Sequence, residues 1–169
     1  MKVLLDTNIL TRLIEPGHAM HQDALNATKV LGAQGHTLNI VPQNLYEMWV
    51  VCTRPIAVNG LGKNMNESAA ELTHLKGLFT LLDDTPALFP TWEKLVTTNN
   101  ILGKNAHDAR LVAAMLVHNI THLLTFNDSD FRRFSGITVL TPGVVLSAVA
   151  SPPTVSQGPN SPPIPPAIP

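Results

Sequence analysis

The sequence has almost no cysteine, little charge and no surplus of positive charge, and each shortage closes a class of explanation. Cys52 stands alone among 169 residues. One chain therefore cannot build an internal disulfide framework or a cysteine metal site, and a reducing compartment is expected. Cys52 lies in an apolar run, where a thiol behaves as a small buried hydrophobe. The 11 Lys and Arg residues face 12 Asp and Glu, for a formal net charge of −1. No global field draws in a polyanion, so a nucleic-acid ligand needs a local basic patch. No stretch approaches the roughly 18 uninterrupted apolar residues of a membrane helix. The amino terminus enters its first apolar run without the basic segment and cleavage signal of a secretory leader. A cytoplasmic protein with no membrane contact is the expectation.

Hydrophobic residues make up 44% of the chain and charged residues 14%, which fits one compact domain whose few charges are individually informative. Residues 1–150 read as that domain. Residues 151–169 differ in kind, holding eight of the 14 prolines and no charged residue. Such a composition does not build a packed core, so a polyproline-like, mostly disordered tail without a role in the chemistry is expected.

Within 1–150, short apolar runs alternate with helical patterns. Strands are expected at 3–5, 37–41, 86–89, 122–126 and 137–140, and helices at 7–14, 19–33, 42–53, 67–82, 91–102 and 105–119. A short helix through 134 and a last one over 142–150 follow. This alternation predicts an α/β fold: a three-layer sandwich with a central parallel sheet of about four to five strands and helices on both faces. The stretch Leu45–Cys52 is apolar nearly all round, which predicts a buried helix, yet Glu47 sits in its middle.

Acids recur at the ends of core elements. Val3, Leu4 and Leu5 run directly into Asp6, Thr7 and Asn8, and the fourth strand runs into Asn127, Asp128, Ser129 and Asp130. Parallel strand direction places both clusters on one sheet edge, where open α/β sheets bind ligands, with Asp108 at the start of a helix beside them. Each acid has a plain structural explanation: Asp6 as a helix cap, Asp108 in a capping box with Asn105, Asp128 and Asp130 as favourable charges in a first helical turn. Glu47 has the weakest such explanation, because a carboxylate in an apolar helix needs a partner. Gathered carboxylates repel one another and take up protons unless a cation neutralises them. Without a cysteine pair or His-Glu-x-x-His spacing, zinc is disfavoured; an oxygen-rich site suits Mg²⁺, with Mn²⁺ as the alternative. His107 reads as a surface or capping residue rather than a ligand.

Four segments in order resemble a known family: Leu-Leu-Asp-Thr-Asn at 4–8, the Glu47 helix ending in Thr53-Arg54-Pro55, His107-Asp108-Ala109, and Leu-Leu-Thr-Phe-Asn-Asp-Ser-Asp-Phe at 123–131. Together they look like a PIN domain of the VapC toxin type over about residues 1–148. The resemblance implies a metal-dependent ribonuclease, the toxin of a toxin–antitoxin pair, acting as a homodimer with a cognate antitoxin partner. It maps Asp6, Glu47 and Asp108 onto three acidic family positions. At the fourth, Asn127 stands where many members carry an acid, and Asp130 before Phe131 is the other polar residue of that motif.

The expected chemistry is phosphodiester hydrolysis of RNA. Asp6 and Asp108 hold Mg²⁺, which acidifies a water, with Asn127 among the metal-site candidates and Glu47 or Asp130 orienting or deprotonating that water. Thr7 and Asn8 line the rim, and Arg12 and Arg110 are the foremost candidates for phosphate contacts, with Arg54, Lys104, Arg132 and Arg133 nearby. The alternative is a non-catalytic Mg²⁺- or RNA-binding module with the same fold. A phospho-acceptor receiver would need a lysine after a late strand, and no lysine follows Lys104.

Overall fold

A computed structural model describes residues 1–150; the expected Pro-rich tail, 151–169, lies outside the described residues. Five parallel strands form the centre: β1 (Lys2–Leu5), β2 (Thr37–Ile40), β3 (Thr80–Leu81), β4 (His122–Leu124) and β5 (Thr138–Leu140), in the spatial order β3-β2-β1-β4-β5. β1 is central because its apolar residues serve both faces. Leu4 packs with Leu123, Leu111, Met115 and Phe131 on one side. Val3 and Leu5 pack with Leu124, Ile9, Leu10, Ala24 and Met48 on the other. All three β1 residues are fully buried, as a strand covered on both faces requires.

Eight helices cover this sheet among the described residues: α1 (Thr7–Leu13), α2 (His21–Ala33), α3 (Pro42–Thr53), α4 (Met65–Leu78), α5 (Leu88–Thr98), α6 (Asn105–Val117), α7 (Asp128–Phe131) and α8 (Pro142–Ala150). Those contributing to the Leu4 side are mainly α5, α6 and α7, and those on the Leu5 side are α1 to α4 with α8. The α/β three-layer expectation therefore holds. No described helix is long and apolar enough to cross a membrane. The chain winds from β1 outward through β2 and β3, then returns to add β4 on the opposite flank of β1. The crevice between the carboxyl ends of β1 and β4 is thus the topological switch point, where such sheets bind ligands.

Two local expectations fail. The helix expected over 67–82 ends at Leu78, and the strand expected at 86–89 lies at Thr80–Leu81. Phe79 leaves the helix with extended angles, φ −125° and ψ 152°, and Leu82 N–H donates to Ile40 O at 2.9 Å, prolonging the pairing with β2. Residues 88–89 instead open α5, whose first turn accommodates Pro90 because no intrahelical donor is needed there. The second failure concerns α3. Tyr46 is 64% exposed and Val50 49%, so this apolar helix is not enclosed on all sides.

Candidate active site

Asp6 occupies the N-cap position of α1 with extended angles, yet its side chain makes no capping bond. The carboxylate is spent sideways. Its Oδ2 accepts from Thr125 Oγ1 at 2.6 Å and from Asn8 Nδ2 at 2.8 Å. Asn8 Nδ2 also reaches Thr125 Oγ1 at 3.0 Å, and its Oδ1 accepts from Phe126 N–H at 3.2 Å. The backbone adds Asp6 N–H to Leu124 O at 2.9 Å. Together these bonds stitch the ends of β1 and β4 and fix Asp6 in the crevice. Burial raises the Asp6 carboxyl from 3.8 to about 6; the Thr125 hydroxyl opposes the rise, and the neighbouring charges of Glu47 and Asp108 add to it.

Glu47 stands one helix away, on α3, with donors on both oxygens. Thr7 Oγ1 donates to its Oε2 at 2.5 Å and Gln43 Nε2 to its Oε1 at 2.8 Å. The direction of each donor is set by a further bond. Asn44 Nδ2 donates to Thr7 Oγ1 at 3.2 Å, and Arg110 Nη1 donates to Gln43 Oε1 at 3.1 Å while Gln43 Nε2 also reaches His107 O at 2.9 Å. A flipped Gln43 amide would aim its oxygen at two acceptors, so only one orientation satisfies the site. Arg110 in turn is held by Asp84 at 2.6 Å. Hydrogen bonds thus run unbroken from Asp84 to Thr7 through Arg110, Gln43 and Glu47.

Asp108 lies in the first turn of α6, partly buried, and serves no capping box: the helix begins at Asn105 itself, with Lys104 at its N-cap. Burial raises its carboxyl first, then the charges of Asp130 and Glu47, with Arg133 and His107 opposing. Within the 127–130 cluster the acids divide. Asp128 pairs with Arg132 on the surface at 2.5 Å, which lowers its carboxyl. Asp130 is the one whose charge bears on Asp108. Asn127 is anchored through its backbone N–H to Thr125 Oγ1 at 2.9 Å. Asp108 therefore lies within electrostatic reach of Asp6, Glu47 and Asp130 at the sheet edge, and Asp6 within reach of Glu47.

The donor set is all oxygen, as a hard divalent cation requires. Among the described residues, no three His, Cys, Asp or Glu side chains already form a metal-ligand cluster. Mg²⁺ is commonly bound through one or two carboxylates with several waters retained, so the set fits such an ion without a closed protein cage.

The arginines expected at the rim fare differently. Arg12 pairs with Glu15 and lines a cavity of about 510 Å³ with Thr7 and Asn8. Arg110 is occupied by Asp84 and Gln43, which makes it first a support for the Glu47 network. Sequence reasoning missed Thr125, Gln43 and Asn44. The last two read as ordinary polar neighbours of Glu47, but both are buried and act as its donors directly or through Thr7. Their position one turn or less before a lone carboxylate in an apolar helix was the available signal.

This network makes Glu47→Gln a tolerated change in folding. The new amide can donate to Thr7 Oγ1 or accept from Gln43, and it removes one of the charges raising Asp6. The metal-free variant is expected to melt at or above the wild-type temperature. If Glu47 serves catalysis, its RNA cleavage rate should fall on the order of 10²- to 10⁴-fold; thermal melts beside single-turnover rates check this, and a near-normal rate removes Glu47 from the site.

A family model described as "PIN domain" matches residues 3–137. No curated protein matches the chain in sequence. Among solved structures, a chain of VapBC2 from Rickettsia felis, bound to a DNA fragment from its promoter, superposes with TM-score 0.65 at 19% identity, covering 83% of this chain and 98% of that one. A chain of VapBC-1 from nontypeable Haemophilus influenzae gives 0.60 at 17% identity over 85% and 99%. VapC20 of Mycobacterium tuberculosis, a Sarcin-Ricin loop cleaving toxin, gives 0.51 at 21% over 72% and 86%.

Proposed function

Since the chain belongs to the PIN domain family, we propose that it is a Mg²⁺-dependent endoribonuclease of the VapC toxin type, hydrolysing RNA phosphodiester bonds at the edge between β1 and β4. One observation carries this reading: four acids from four separate elements converge there, and crowding and burial hold Asp6 protonatable up to about pH 6. Stability alone does not favour such an arrangement.

Asp6 and Asp108 would hold the cation, with Mn²⁺ as an alternative to Mg²⁺. When bound, it would acidify a water and offset charge on the phosphoryl oxygens. Thr125 and Asn8 keep the Asp6 carboxylate aimed into the crevice. Glu47, with both oxygens already accepting, is an oriented anion that fixes the attacking water. Asp130 has no ion-pair or side-chain hydrogen-bond partner among the described residues, and it receives the water's proton. Thr7 and Asn8 form the floor, and Arg12 contacts the RNA backbone from the rim. A cytoplasmic site of action follows from the substrate. The fold likeness to VapBC complexes supports a cognate antitoxin protein as a partner, and a homodimeric toxin completes the proposal.

The termini of the products test the reaction class. Attack by water leaves a linear phosphate on one fragment, whereas attack by the neighbouring 2′-hydroxyl leaves a 2′,3′-cyclic phosphate. Purified protein with Mg²⁺ is expected to give only linear ends. Cyclic ends surviving in EDTA would overturn the proposal.

A further inference from the structure

Outside Glu47, the face of α3 that was expected to be covered opens on a groove of about 580 Å³, whose walls include Tyr46, Val50, Val51, Arg54, His107 and Arg110. Its size falls within the roughly 300–1,000 Å³ of small-ligand sites. Thr7 and Glu47 also line it, so whatever occupies it is adjacent to the acidic cluster. Tyr46 and Val50 lie one helical turn apart on the same face, both largely exposed. Arg54 follows a turn later at the C-cap with extended angles.

The backbone at Arg54 is held in place by the loop that follows it. The loop beyond it folds back so that Gly62 N–H donates to Arg54 O at 2.9 Å. A Cβ at Gly60 would lie 1.9 Å from that same oxygen, so the turn admits only glycine there. Among the described residues Arg54 makes no ion pair, while Arg12, Lys63, Arg110 and Arg132 all do. The groove therefore offers an exposed aromatic ring, an apolar wall and an uncommitted guanidinium on a fixed backbone. Glu47 is the one acid among its described lining residues.

We infer that this groove is the subsite for an unpaired nucleobase next to the scissile phosphate, with the base stacked on Tyr46 and Val50 and a flanking phosphate on Arg54. The inference rests on the nuclease reading and adds to it the residues that receive a splayed-out base, Tyr46 and Val50, with Arg54 for the phosphate beside it. Unstacked bases commonly rest on aromatic side chains, whereas a paired duplex presents none. Charge selects a nucleotide over an apolar peptide, because the groove is lined by two arginines, Arg54 and Arg110. Arg110 contributes to that rim although Asp84 already engages it.

The test uses the full chain and short mixed-sequence oligoribonucleotides carrying a single 2-aminopurine, single-stranded or annealed to a complement, in EDTA to prevent cleavage. Binding of the single strand to wild type should quench the fluorophore and exceed binding of the duplex. Tyr46→Phe keeps the ring and should behave as wild type. Tyr46→Ala should bind roughly 10- to 100-fold more weakly and leave the fluorophore bright, the range for loss of one base–aromatic stack. Arg54→Ala should flatten the salt dependence of binding by about one phosphate contact. In Mg²⁺, Tyr46→Ala should raise KM far more than it lowers kcat. If Tyr46→Ala binds, quenches and cleaves with wild-type KM, the subsite is overturned while the nuclease reading stands, and the groove belongs to a polypeptide partner. If wild type neither binds nor cuts any of these RNAs, both fall together.

Discussion

Replacing Asp6 with Asn is expected to abolish RNA cleavage and yet raise the melting temperature of the metal-free protein at neutral pH. The side chain keeps its shape, and its oxygen can accept from Thr125 and Asn8 as the carboxylate does. What disappears is a charge held out of water beside two others. The folded carboxyl titrates near 6 against 3.8 ordinarily, so in the metal-free protein the folded state binds the proton more tightly than the unfolded one. Stability therefore falls as pH rises through the window from about 4 to about 6, is unaffected by this group below it, and carries the full penalty above it. At 1.36 kcal/mol per pH unit that penalty is on the order of 3 kcal/mol, equivalent to several degrees for a domain of this size. The difference between wild-type and Asp6→Asn melts, measured from pH 4 to 8 in EDTA, isolates Asp6 from Asp108, which is shifted in the same direction. A variant less stable than wild type at pH 7.5 would show that Asp6 is a structural anchor. Cleavage should fall by 10³-fold or more, at or above the top of the range for losing one preorganised donor.

Mg²⁺ should reverse the same penalty. An ion that binds the folded chain alone stabilises it by mass action, about 2.7 kcal/mol at a hundred times its dissociation constant, and it relieves the repulsion that disfavours the ionised carboxylates. The wild-type melting temperature should therefore rise on titration with Mg²⁺ or Mn²⁺. The rise should be larger at pH 7.5 than at pH 5, because protons compete for the same oxygens. In Asp6→Asn and Asp108→Asn the response should shrink to the level of non-specific salt, while Asp128→Asn should respond as wild type, since Asp128 is committed to Arg132. An equal Mg²⁺ response in all four proteins would place the ion elsewhere.

The sequence made the centre of the molecule legible and its margins less so. β1 and Asp6 were readable because an unbroken apolar run ending in a polar cluster has few other uses in a parallel sheet. β3 was misplaced because two residues carry no periodicity, and Phe79, which ends α4, is as apolar as the helix before it. The apolar circumference of α3 set Glu47 apart, but it does not distinguish a helix enclosed by protein from one bordering a groove, which is why Tyr46 and Val50 read as core. Thr125 was passed over because a threonine in a strand is ordinary; only the register of β4 against β1 places its hydroxyl on Asp6. Arg110 lay close to the site as expected, but its engagement by Asp84, 26 positions earlier in the chain, depends on how α5 and its leading loop pack.

Single-turnover cleavage of single-stranded RNA by the full chain, with Mg²⁺ titrated from an EDTA-treated start, tests the central claim most directly. The rate should be undetectable without the ion, climb to a plateau as it is added, and stay undetectable for Asp6→Asn throughout. Cleavage that persists in EDTA, or that Asp6→Asn performs at the wild-type rate, would contradict a metal-dependent nuclease built on this cluster.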